Sequence, residues 1–205
     1  MKKFLTTIFM GSIVATNLWA DERLPVIPPE SYNEEQQAAA AVFLEARNAP
    51  VFGPFQPLMH SPDVMNLARS MGDYLRYKSA LGNTLSELVI LITAREWTQD
   101  YEWFVHHPIA LKAGISDDTA DAIAEGRRPT NMSDDEEIVY NFSTELHRNK
   151  SVSDETYQLA QQRFGDKGIV DLTGINAYYT LLAMQMNVAQ YKPPEGAQKL
   201  PRFPD

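Results

Sequence analysis

The 205-residue chain has no cysteine. That excludes thiolate nucleophiles, iron–sulfur clusters and thiolate zinc sites, and it leaves stability to the core or to assembly, without disulfides. Basic residues are scarce beside acidic ones, 18 against 27, giving a formal charge of −9. No Lys/Arg cluster interrupts that acidic balance, so neither nucleic acid nor anionic lipid is expected as a partner. A convincing alternation of apolar and polar residues is also missing, which argues against strands. The one extended apolar stretch, near the start, is diluted by Thr6, Thr7, Gly11, Ser12 and Asn17 and is too short to cross a bilayer comfortably.

That stretch has the pattern of a secretory signal peptide over residues 1–20. Lys2 and Lys3 open it, an apolar run follows from Phe4 to Ala15, and Ala20 precedes the charged Asp21-Glu22-Arg23. An uncleaved anchor is the competing reading. Cleavage after Ala20 predicts a secreted or periplasmic protein with no membrane contact. Because two lysines and no acid leave with the leader, the charge moves from −9 to −11.

The remainder reads as all-α. Residues 21–60 form an N-terminal lead-in, a helix and a Pro-rich loop; Ser31 with Glu34 predicts a capping box, and the helix runs to Arg47. Pro50, Gly53, Pro54 and Pro57 exclude regular helix over 48–61. Ser61-Pro62 starts a helix to about Ser79. Thr84 with Glu87 predicts a second capping box and a long helix over 85–106, apolar on nearly all faces from Leu88 to Ala94 and therefore central. Pro108 and Gly114 bracket a short piece, and Ser116, Ser133 and Ser153 start further helices ending near Glu125, Asn149 and Phe164. A break at 165–168 precedes a closing helix over 169–189, and residues 191–205 form a Pro-rich arm, loose in a monomer or laid across a neighbour in an oligomer.

Residues 87–115 read ELVILITAREWTQDYEWFVHHPIALKAGI. An acidic residue opens an apolar helix, followed by Ala94-Arg95-Glu96-Trp97, Tyr101-Glu102-Trp103, His106 and the turn Ala110-Leu111-Lys112-Ala113-Gly114. Later come Leu172-Thr173-Gly174 and Tyr178-Tyr179. In these features the chain resembles the carboxymuconolactone decarboxylase superfamily, which includes alkylhydroperoxidase D-like proteins. The resemblance implies an all-α, alkylhydroperoxidase D-like helical domain over about 61–190 that forms trimers or hexamers.

In the peroxidase branch of that superfamily a glutamate precedes a C-x-x-C pair and a histidine. The corresponding residues here are Glu87, Gln99, Glu102 and His106, so Gln99 and Glu102 occupy the cysteine positions. Neither side chain can attack a peroxide or resolve a sulfenic acid, which closes the thiol route. The decarboxylase branch carries a glutamate four residues before the histidine, as Glu102 and His106 do. Residues four apart share a helix face, where a carboxylate can orient an imidazole for acid–base work.

The resemblance thus implies His106, Glu102 and Glu87 as catalytic candidates, and Gln99, Trp103 and Arg95 are substrate-binding candidates; on composition alone, Arg95 and Arg76 are the cations offered for a carboxylate. Bland readings stand beside these. Glu102 and His106 also fit a solvated helix pair, and Glu87 a cap for Thr84. Trp97, Tyr101, Trp103 and Phe104 fit packing as well as a substrate wall, and Tyr178 and Tyr179 fit core or interface. No third ligand stands at a motif spacing, so neither a metal nor another cofactor is expected. Two functions follow: an enzyme doing acid–base, lyase-type chemistry on a small cyclic carboxylic acid or lactone, or a non-catalytic oligomeric binding protein of the cell envelope.

Overall fold

Leu88 to Ala94 leave no polar face to present to water, and the chain folds around them. The computed structural model describes residues 23–203, so the expected signal peptide lies outside the described residues. The central helix, α4 (Gly82–Glu96), is buried without interruption from Ser86 to Ala94. It is touched by α3 (Pro62–Tyr77), α5 (Asp100–Ala113), α6 (Asp117–Ala124), α7 (Asp134–Asn149) and α8 (Asp154–Ala189). Helices α1 (Glu34–Arg47) and α2 (Phe55–Leu58) pack on α3, and α2 also reaches α8. Among the described residues there is no strand, in agreement with the all-α reading.

Local signals place some helix starts and misplace others. Ser116 and Ser133 cap α6 and α7 as expected, the latter in a reciprocal box with Glu136. The box at α1 sits two residues further on, between Asn33 and Gln36, because Pro29 starts a short 3-10 turn that absorbs Ser31. One turn of helix, α2, forms inside the Pro-rich segment. The expected box between Thr84 and Glu87 does not exist. Helix α4 begins earlier, at Gly82, and Thr84 Oγ1 instead donates to the Ala113 carbonyl at 2.6 Å, tying the start of α4 to the end of α5. The break in α8 is confined to Gly165, at φ 68° and ψ 178°.

The largest departure concerns the helix expected over 85–106, which is two helices. Helix α4 ends at Glu96, Thr98 turns left-handed at φ 49°, and Gln99 caps α5 by accepting from Tyr101 N at 2.7 Å. A threonine with positive φ is unfavourable, so the turn needs compensation. Gln99 N donates to the Ala94 carbonyl at 2.8 Å, and Arg95 donates to Thr98 Oγ1 at 2.7 Å. From α8, Asn187 donates to the Trp97 carbonyl at 3.1 Å and accepts from Gln99 Nε2 at 2.9 Å. Helix α5 then runs through Pro108. The only helical bond a proline there forfeits is to the carbonyl of Phe104, and both residues are exposed.

The C-terminal arm, expected from the sequence to be loose in a monomer, is not loose. It is fastened to its own α4–α5 turn. Leu200 is buried and its N–H donates to Asp100 Oδ1 at 3.1 Å; Arg202 pairs with the same carboxylate at 2.7 Å. Arg95 donates to the Pro201 carbonyl at 2.7 Å and lies over the Phe203 ring.

Helices α3 and α8 approach each other through glycine. A Cβ on Gly72 would lie 2.3 Å from Tyr178 Oη and 2.6 Å from its Cζ, well inside contact distance, so the ring would have to shift. Gly72→Ala is therefore expected to lower stability by about 1–3 kcal/mol, the usual range for overpacking. Thermal or urea denaturation measures it; a variant as stable as the wild type would show that Tyr178 is not held where the structure puts it.

Candidate active site

The reversal between α4 and α5 brings together residues that one helix would separate. Glu87 and His106 are nineteen positions apart, and a continuous helix would hold them about 28 Å from each other. Here His106 Nδ1 lies 2.7 Å from Glu87 Oε2. Glu87 is completely buried, so it needs compensating partners. His106 is one, and Arg76 of α3 is the other, with Nη2 3.4 Å from Oε1. A carboxylate cannot donate, so the hydrogen lies on Nδ1, leaving Nε2 with a lone pair. Burial lowers the His106 pKa from its ordinary 6.5, the Glu87 contact works against that, and Arg76 adds to it; the net direction is down. The imidazole is accordingly neutral near pH 7.

Glu102 sits one turn before His106 on the same face of α5. It is 3% exposed, and neither carboxyl oxygen has a hydrogen-bond partner among the described residues. The expected pairing of Glu102 with His106 is thus replaced by one between His106 and Glu87. Deprived of water and of any compensating donor, Glu102 holds its proton well above the usual carboxylate range. The site therefore contains a carboxylic acid and a neutral imidazole whose proton affinities are pushed in opposite directions, which suits one to donate and the other to accept.

Both residues face a cavity of about 60 Å³. Its walls are aromatic and aliphatic: Tyr101 and Val105 from α5, Tyr178, Tyr179 and Leu182 from α8, and Phe55 from α2. Tyr179 packs edge-on against His106 with ring centres 5.2 Å apart, and Tyr178 packs edge-on against Tyr179. Burial raises the pKa of both phenols, so they are neutral donors. Two cations, Arg47 from α1 and Arg76, complete the lining. A small, mostly apolar cavity with a few convergent polar groups is the usual form of a small-molecule site.

Of the residues singled out from sequence, the structure gathers His106, Glu102 and Glu87, together with Arg76. It does not gather Gln99, Trp103 or Arg95, none of which lines the cavity. Gln99 caps α5 and bonds Asn187. Trp103 is buried and stacks on His107. Arg95 is spent on the Ala124 and Pro201 carbonyls and the Phe203 ring. Tyr178 and Tyr179, which read equally as core, are cavity wall. Arg47 carried no signal, since arginine in a last helical turn is explained by the helix dipole.

No known family signature matches the chain, and no curated protein does. Solved structures do. One is an uncharacterized peroxidase-related protein from Silicibacter sp. TM1040, 13% identical, with a TM-score of 0.68 over 85% of this chain and 92% of that one. Another is described as an alkylhydroperoxidase AhpD core, an uncharacterized peroxidase-related protein from Ralstonia eutropha JMP134; it is 17% identical, with a TM-score of 0.66 over 84% of this chain and 92% of that one. At such identities the likeness concerns the backbone alone: this chain has the all-helical fold of the alkylhydroperoxidase D core.

Proposed function

We propose that the protein is an acid–base enzyme acting on a small organic acid, with lyase-type chemistry such as the decarboxylation of a cyclic acid or lactone. The observation that carries this reading is Glu102: a buried carboxyl on a cavity wall, unpartnered among the described residues, beside an imidazole already hydrogen-bonded to another acid. A structural glutamate is normally satisfied, because a buried polar group without a partner costs stability. Buried carboxyls kept in that state are concentrated at functional sites.

The roles follow from the proton positions. His106 Nε2 takes up a proton from solvent and resupplies Glu102 after turnover, and Glu87 with Arg76 holds the ring in the tautomer that makes this possible. Glu102 donates. Loss of carbon dioxide from an acid leaves an electron pair on carbon; the Glu102 carboxyl delivers the proton that quenches it and regains one afterwards from solvent by way of His106. A thiol peroxidase cycle has no place here, because the sequence holds no sulfhydryl.

Glu102→Gln and His106→Asn are each expected to lower turnover about 10²–10⁴-fold while leaving the protein folded. The measurement is a metabolite screen with wild type and variants, followed by kinetics on whatever is consumed. Full turnover by either variant would remove the assignment, and ligand binding without turnover by the wild type would favour a binding protein.

Stability should report the same proton. Folded Glu102 keeps its proton to a higher pH than the unfolded chain, so its contribution is complete below its ordinary 4.5 and is lost as pH rises. His106, lowered on folding, has the opposite sign, and its contribution is lost as pH falls below about 6.5. Glu102→Gln abolishes the first effect alone. Its melting temperature should therefore gain on the wild type as pH rises above 4.5, until folded Glu102 itself ionises. A pH-independent gap would show that Glu102 is ionised in the folded protein.

A further inference from the structure

The cavity has a recognition end that the acid–base pair does not use. Arg47 and Arg76 line it from two different helices, α1 and α3, and their donors are largely unspent. Arg47 Nε lies 2.7 Å from Asp73 Oδ1 in an ion pair without hydrogen-bond geometry, and its guanidinium lies over the Phe55 ring; its two terminal nitrogens have no partner among the described residues. Arg76 reaches Glu87 only at 3.4 Å, and its buried Nε is unpartnered. Guanidinium forks held this close to a cavity, with hydrogen bonds to spare, are suited to a planar oxyanion.

Charge and size narrow the choice. Two cations, Arg47 and Arg76, stand on the cavity wall, each partly offset by a carboxylate that does not line it, Asp73 and Glu87. Cations partly neutralised in this way match a single anionic group better than a dianion or a neutral molecule. The cavity of about 60 Å³ corresponds to about four to six waters, at roughly 10–15 Å³ each on the same measure and about 30 Å³ each in the liquid. That is the room of one small ring bearing a carboxylate. The phenol hydroxyls of Tyr178 and Tyr179 make no hydrogen bond among the described residues, so they are available to the same ligand.

We propose that Arg47 and Arg76 form a carboxylate subsite that restricts the pocket to a small, largely apolar monoacid whose body lies against Phe55 and Leu182. Arg47 belongs to α1, upstream of the segment that carries the resemblance to the decarboxylase superfamily. The selectivity is thus shared between α1, which supplies Arg47, and α3, which supplies Arg76. The inference rests on the acid–base reading for where such an acid reacts, and on the cavity alone for how it binds.

Benzoate is the probe, with benzamide as its neutral counterpart and phthalate as a dianion, titrated into the full chain by calorimetry. Benzoate should bind at one site, with benzamide and phthalate at least about tenfold weaker. Arg47→Gln and Arg76→Gln should each weaken benzoate by roughly ten- to a hundredfold, the usual worth of a charged hydrogen bond. Circular dichroism establishes that the variants are folded, and the benzoate-to-benzamide ratio in the wild type tests the proposal even where a variant is not. Benzamide binding as tightly as benzoate would overturn it, as would folded variants with wild-type affinity or a wild type that binds no benzoate. Turnover is not read here, so the two ideas fail separately. Binding lost to Arg47→Gln in a protein without activity leaves the subsite and removes the enzyme; turnover without any preference for the anion does the reverse.

Discussion

The site depends on one contact, the 2.7 Å bond between His106 Nδ1 and Glu87 Oε2, and that contact depends on the chain reversing at Thr98. Without the reversal the two side chains would belong to distant turns of one rod. The turn is expensive for a β-branched residue, and the structure offsets its cost from three directions: the Ala94 carbonyl within α4, the guanidinium of Arg95, and Asn187 at the end of α8. The C-terminal arm adds a strap over the same corner through Asp100 and Arg202. Residues far from the cavity therefore act on it by holding the hairpin shut.

A second constraint is electrostatic. Completely burying Glu87 is tolerable only with cationic or hydrogen-bonding partners, and it has both in Arg76 and His106. Those partners engage Glu87, its Oε2 by a hydrogen bond and its Oε1 only by the 3.4 Å ion pair, and leave nothing for Glu102 on the neighbouring helix. The result is an asymmetric pair of acids, one fixed by its partners, the other holding its proton and free to donate. The imidazole between them is held neutral, with its open nitrogen as the base. Apolar walls from Leu182, Val105 and Phe55 keep the dielectric low enough for these differences to persist.

Much of the scaffold was legible from the sequence because helix starts are local. Ser116 and Ser133 act on backbone groups within three residues, and nothing distant competes with them. Thr84 and Glu87 show where that logic ends. They have the spacing of a capping box, yet Glu87 is drawn into the core by Arg76 and His106, partners that only tertiary structure supplies. The break at 97–99 escaped notice because it contains neither glycine nor proline; its stabilisation comes from Asn187, about ninety residues away in sequence. At the site, spacing was enough to place Glu102 and His106 on one face of α5, but it pointed to the wrong carboxylate as the histidine's partner. Arg95 was attractive as a cation inside a motif, and its real work is with carbonyls and Phe203. Arg47, by contrast, reaches the cavity only because α1 packs on α3.

The protonation state of the His106 ring decides between this account and its rivals. Nitrogen-15 NMR of the imidazoles, with His106→Asn to assign the signal, reads it directly. At pH 7 the account predicts a neutral ring with its hydrogen on Nδ1, facing Glu87. A ring protonated on Nε2 alone, or an imidazolium carrying both hydrogens, would contradict it.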